Sequence, residues 1–134
     1  MKREDTLMEY YPDFMDDEED VGGLVRLSRV RYQLADGQPD AMGWRVLDVD
    51  GLEFGAVSDL LADVGTGQIV FAAIKNFTSG TTALIPVEGM YLDLVESVVV
   101  IPVRECDVHD SPDFTDDVVD VMPFVEYWLR RIAA

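Results

Sequence analysis

One histidine and one cysteine stand three residues apart in this chain of 134, His109 and Cys106, with Asp107 and Asp110 beside them. Thiolate, imidazole and carboxylate are the ligand types that metal sites use. Together they offer a metal two or three ligands. The competing reading is a solvated acidic loop, and no metal is assigned to it. Carboxylate pairs are the next candidates: Asp48/Asp50, Asp59/Asp63 and Asp116/Asp117. Acid–base chemistry needs such a pair inside a pocket that pulls its pKa values apart. With 27 acidic residues in the chain, pairs arise by chance. The aspartates that flank turns are read as turn formers, and weak surface binding of Ca²⁺ or Mg²⁺ is the one further role left to the acids. The sequence contains no phosphate-binding glycine loop and no Gly-x-Ser-x-Gly elbow. Ser79-Gly80-Thr81-Thr82 reads as a hairpin tip. Asn76-Phe77-Thr78 is formally a glycosylation sequon, but no secretion signal accompanies it. No catalytic, cofactor-binding or metal-binding residue is assigned, no cofactor is called for, and the chain reads as something other than an enzyme.

Composition narrows the partners. The net charge is −17, from 27 acidic and 10 basic residues. Such a surface repels phosphate backbones and anionic lipid headgroups, so neither nucleic acid nor direct membrane insertion is expected. No run of 18 apolar residues exists, and MKREDTLMEYY lacks the apolar core of a signal peptide. The expected compartment is the cytoplasm. The single cysteine excludes an internal disulfide, and a chain of this length buries enough surface to fold without one.

The elements that would carry any site centre on residues 43–75. Asp50-Gly51 separates Trp44, Val46, Leu47 and Val49 from Phe54, Val57, Leu60 and Leu61. Asp-Gly suits the positive φ angles of a tight hairpin turn. Gly65-Thr66-Gly67 then separates that run from Ile69–Ile74, which predicts a three-stranded meander. Gly55 is expected to permit a bulge or a close backbone approach, and Asp63 to accept backbone N–H groups of the turn. Pro86 belongs at a strand end or an edge. A further strand is expected over 98–101, after a crossing segment GMYLDLVES.

Around this core, residues 1–22 form an acidic N-terminal tail. Nine acids in the first 20 positions are interleaved with Leu7, Met8, Tyr10, Tyr11, Phe14 and Met15. It is either a solubilising spacer or a short docking segment. Gly22-Gly23 separates it from a domain over 23–103. Residues 104–134 make an acidic loop and a short C-terminal helix, with Pro123 in the first turn, Arg130 and Arg131 in the last, and Phe124, Tyr127, Trp128 and Ile132 on one face. Tyr127 and Trp128 are either core at the end of the domain or a contact surface.

The entry LVRLSRVRYQLADGQPDAMGWRV, with Leu27, Ser28, Gly37, Pro39, Asp40, Gly43 and Trp44, and the central set Asp50, Gly51, Gly55, Val57, Asp59, Leu60 and Asp63, resembles the PRC-barrel family. That family includes the cytoplasmic barrel of the photosynthetic reaction-centre H subunit and many stand-alone bacterial proteins. The resemblance covers roughly residues 24–103, with a looser match near 112–127. It implies a mainly β fold, a small barrel of about six strands, and a non-enzymatic protein-interaction or scaffold role. An accessory subunit like the H cytoplasmic domain, supporting electron and proton transfer, is the alternative it carries.

Both alternate sets of 68–75 and of 97–101 are apolar. A sheet face in water should show polar alternation. Two apolar faces require a cover: the C-terminal helix, a second copy, or a partner. A homodimer or a protein partner is therefore expected, through the outward set of the 98–101 strand.

Overall fold

A computed structural model describes residues 4–6, 13–14, 23–29, 32–33 and 40–132. Ten strands are present among them: β1 (Glu4–Thr6), β2 (Asp13–Phe14), β3 (Leu24–Arg26), β4 (Tyr32–Gln33), β5 (Arg45–Leu47), β6 (Glu53–Asp63), β7 (Ile69–Asn76), β8 (Thr82–Pro86), β9 (Tyr91–Asp93) and β10 (Val98–Val100). Two helices follow, α1 (Glu105–His109) and α2 (Met122–Ile132). The main sheet runs β1-β9-β10-β5-β6-β7-β8, with β3 paired onto β6 beside that path. All these pairings are antiparallel except β10 with β5. β2 and β4 form a separate pair. The mainly β expectation holds, with a short C-terminal helix. The sheet is mixed, and its end strands β1 and β8 do not pair, so the described strands do not close into a ring.

β5, β6 and β7 are the expected meander, and the reasons are local. Asp48 N donates to the Leu52 carbonyl at 2.8 Å and Gly51 sits at φ +87°. At the second turn, Asp63 Oδ1 accepts from Gly65 N at 2.7 Å and Thr66 N at 3.1 Å. Gly55 lies so close to β7 that a Cβ there would collide with the Lys75 carbonyl oxygen. The strict two-residue alternation of β6 breaks twice. An extra residue opposes β5 at Phe54, and another opposes β7 at Ser58. Each bulge switches the face that follows. Phe54, Val57, Leu60 and Ala62 therefore all enter one core.

That main core lies on one face of the sheet, with Val25, Val46, Ile69, Ile74, Ile85, Leu92 and Val99. A second core lies on the opposite face. Leu24, Leu61, Phe71, Ala73 and Leu84 are covered there by Phe114 and by Phe124 of α2, whose rings meet edge to face at 5.6 Å. The two-sided apolar pattern of β7 is thus answered within the chain. β10 is flanked by β9 and β5, with Val98 and Val99 buried and Val100 half-buried. Of the two faces from which a homodimer was expected, that of β7 carries the second core, and on β10 Val100 remains half-buried.

Four elements were not anticipated. The crossing segment contains β9, the acidic stretch after Pro102 contains α1, and the acidic tail contributes β1 and β2. Of residues 1–22, Glu4–Thr6 pairs with β9 and Asp13–Phe14 with β4. The other tail residues, including Leu7, Met8, Tyr10, Tyr11, Met15 and Gly22, lie outside the described residues, as do Gly37 and Pro39 of the entry loop. No helix among the described residues is long and apolar enough to cross a membrane.

Candidate functional site

The carboxylates that the sequence marked are engaged in holding the fold. Asp48 is 3% exposed. Its Oδ1 accepts from Asp50 N and Leu52 N at 2.9 and 2.8 Å, and its Oδ2 from Glu105 N at 3.0 Å. One side chain thus forms its own turn and receives the first turn of α1. Burial pushes its pKa up, but the N–H groups of Glu105, Leu52 and Asp50 and the charge of Arg104 outweigh burial and hold it below the ordinary 3.8. Glu105 in turn accepts from Asn76 Nδ2 at 3.0 Å, so the β5–β6 and β7–β8 turns are clasped to α1.

Asp59 is not a turn former. It sits beside the Ser58 bulge, buried, and accepts from Ser28 N at 3.0 Å, Ser28 Oγ at 2.6 Å and Leu60 N at 2.9 Å. It ties the 3₁₀ turn Leu27–Arg29 to the middle of β6. Nearby, Arg26 is buried, lies over the Phe114 ring at 4.3 Å, donates to the Thr115 carbonyl and reaches Asp116 at 3.3 Å. These groups line a polar cleft of about 210 Å³ with Ser58 and Thr82. Asp117 is held below its ordinary 3.8 by the hydroxyl of Thr115 and by backbone N–H.

Cys106 and His109 are both exposed on α1, which is anchored by the buried Val108. Among the described residues, no three His, Cys, Asp or Glu side chains converge to hold a metal ion. Asn76, the sequon residue, is buried in the clasp with Glu105.

An apolar cleft of about 310 Å³ lies between α2 and the end of β7 and β8. Val70, Phe71 and Pro86 line one side, Val125, Trp128 and Leu129 the other, and Glu88 is the only charged liner among the described residues. Trp128 is 1% exposed and Leu129 is 60% exposed. α2 is fixed by three contacts to other elements. Trp128 Nε1 donates to the Leu84 carbonyl at 2.8 Å, the Tyr127 hydroxyl donates to the Asp107 carbonyl, and Arg131, stacked on Tyr127 of its own helix, pairs with the Asp107 carboxylate at 3.6 Å. Burial raises the Tyr127 phenol above its ordinary 10.0.

These contacts also cap the outer edge of β8. The Thr82 carbonyl accepts from Phe114 N, Thr82 N donates to Asp113, the Leu84 carbonyl is taken by Trp128, and Pro86 has no N–H. The sequence singled out Trp128 as core or contact, and it is core. Val125 and Leu129 were missed, although Met122, Val125 and Leu129 recur at i, i+3 and i+7 and mark a second apolar flank of α2.

No protein-family model matches the chain, and no curated protein sequence matches it either.

Proposed function

We propose that the chain is a non-enzymatic protein-interaction module of PRC-barrel type, and that the cleft beside α2 is where it takes a partner. The observation that carries this is the cleft itself. It is apolar, open, bounded by the buried Trp128 and the exposed Leu129, and left unfilled by the described residues. The acids speak for the same reading. An acid–base pair would keep one carboxyl raised for chemistry, whereas Asp48 is held down and Asp59 accepts three hydrogen bonds within the fold.

The family part of the proposal is supported by the β5-β6-β7 meander with its Asp-Gly turn, its close approach at Gly55 and its proline-terminated β8. A closed barrel is its finer claim, and the described strands make an open sheet whose β8 edge is capped by α2 and the Phe114 loop.

The test is titration of the folded chain with Nile red, a neutral apolar dye. An open cleft takes up the dye saturably, and Leu129→Ser weakens uptake without changing cooperative unfolding. A folded chain that takes up no dye, or takes it up equally with Leu129→Ser, contradicts the reading.

A further inference from the structure

We propose that the cleft receives a cationic amphipathic helix of a partner protein, with an apolar side chain between Val70, Pro86 and Leu129 and a lysine or arginine against Glu88. The proposal rests on the interaction-module reading and goes beyond it in naming the occupant. Strand addition is the first alternative for a site at a sheet edge. Here it is blocked, because the outward groups of Thr82 are bonded, the Leu84 carbonyl is taken and Pro86 has no donor. A partner must present side chains instead. Met122, Val125 and Leu129 form a row along α2 of the kind that packs against another helix. The volume, about 310 Å³, lies at the bottom of the range of roughly 300–1,000 Å³ for small-ligand pockets. That suits one anchoring side chain better than a cofactor.

Charge selects the partner's sign. Glu88 is the one charged liner among the described residues, and Arg130 falls about 140° round the helix from Val125. The chain carries −17 in total, so a second copy brings its own −17 to the contact while a cationic helix is drawn to it.

The test is calorimetric titration of the full chain with a synthetic peptide of about 18 residues, leucine on one helical face and lysine on the other. The control peptide carries glutamate in place of lysine. Leu129→Ser probes the cleft, and Val119→Ser, also exposed but outside it, controls for attraction to the acidic surface at large. The lysine peptide is expected to bind saturably, about tenfold or more weakly to Leu129→Ser, more weakly to Glu88→Gln, and unchanged to Val119→Ser. The glutamate peptide is expected not to bind. Equal affinity for all variants, or for both peptides, overturns the proposal. Should Leu129→Ser not fold, the comparison with Glu88→Gln decides. Nile red uptake at Leu129 without peptide binding overturns the occupant and leaves the module reading standing, whereas loss of both overturns both. A dimer in sedimentation that Leu129→Ser dissociates assigns the cleft to a second copy and overturns the proposal.

Discussion

The indole Nε1 of Trp128 donates to the main-chain carbonyl of Leu84 at 2.8 Å, joining the C-terminal helix to the outer edge of the sheet. The carbonyl belongs to β8, which has no strand on that side among the described residues. A buried carbonyl without a donor costs about 1–3 kcal/mol. Trp128→Phe keeps most of the apolar volume and removes the donor, so it is expected to lower stability by about 1–3 kcal/mol in urea unfolding. A loss under about 0.5 kcal/mol would mean that water or another donor replaces the indole.

Asp48 gives a pH signature. Its folded pKa lies below the ordinary 3.8, so the carboxylate's contribution is fully present above that value and is lost as pH falls through the folded pKa. Asp48→Asn is expected to cost about 1.5–3 kcal/mol at neutral pH, because a charged acceptor of three N–H groups is replaced. The gap between wild type and variant should then narrow below about pH 4. Urea unfolding at neutral pH and near pH 3 measures it. A gap that stays constant across that range would show that the charge of Asp48 does not matter to the clasp.

How far the sequence reached can be judged from particular residues. The meander was legible because Asp50-Gly51 and Gly65–Gly67 act locally, and because Asp63 bonds within its own turn. Gly55 and Pro86 were legible because glycine and proline act through their own backbone. The burial of Phe124 and Trp128 on one face of α2 was legible from helical spacing. Asp48 shows the limit. Its turn contacts are two and four residues away, but its contact with Glu105 spans 57 positions and helps α1 form in a stretch that reads as an acidic loop. Asp59 shows it again, since Ser28 lies 31 positions earlier. β9 has only three residues, and its pairing partners β1 and β10 come from opposite directions in the chain. The cleft was illegible for the same reason: Val70, Pro86 and Leu129 meet only when the chain is folded.

The tie between Ser28 and Asp59 should be measurable as a coupling. Ser28 Oγ donates to a buried carboxylate at 2.6 Å, a hydrogen bond to a charged group. Ser28→Ala is expected to cost about 1.5–3 kcal/mol. In an Asp59→Asn background the same change should cost clearly less, because the charged acceptor is gone. Additive losses would show that Ser28 acts independently of Asp59.

Salt should stabilise the chain. At −17 the folded surface repels itself, and added salt shortens the Debye length from about 30 Å at 0.01 M to about 10 Å at 0.1 M. The described ion pairs are few and mostly between exposed partners, for example Arg45–Glu53 and Arg104–Asp50, so little attraction is lost in exchange. The melting temperature is expected to rise over that interval. A flat or falling response would mean that local pairing of the acids outweighs their mutual repulsion.

The central claim is that the partner surface is the cleft beside α2 and not another apolar patch. Val49, Leu52 and Phe77 are also exposed, in segments at the hairpin-tip end of the sheet. Amide chemical-shift mapping of the chain titrated with Nile red separates the two. The account predicts shifts at Val70, Phe71, Glu88, Val125, Leu129 and the Trp128 indole N–H. Shifts that instead centre on Val49, Leu52 and Phe77 and leave the Trp128 indole unmoved would contradict it.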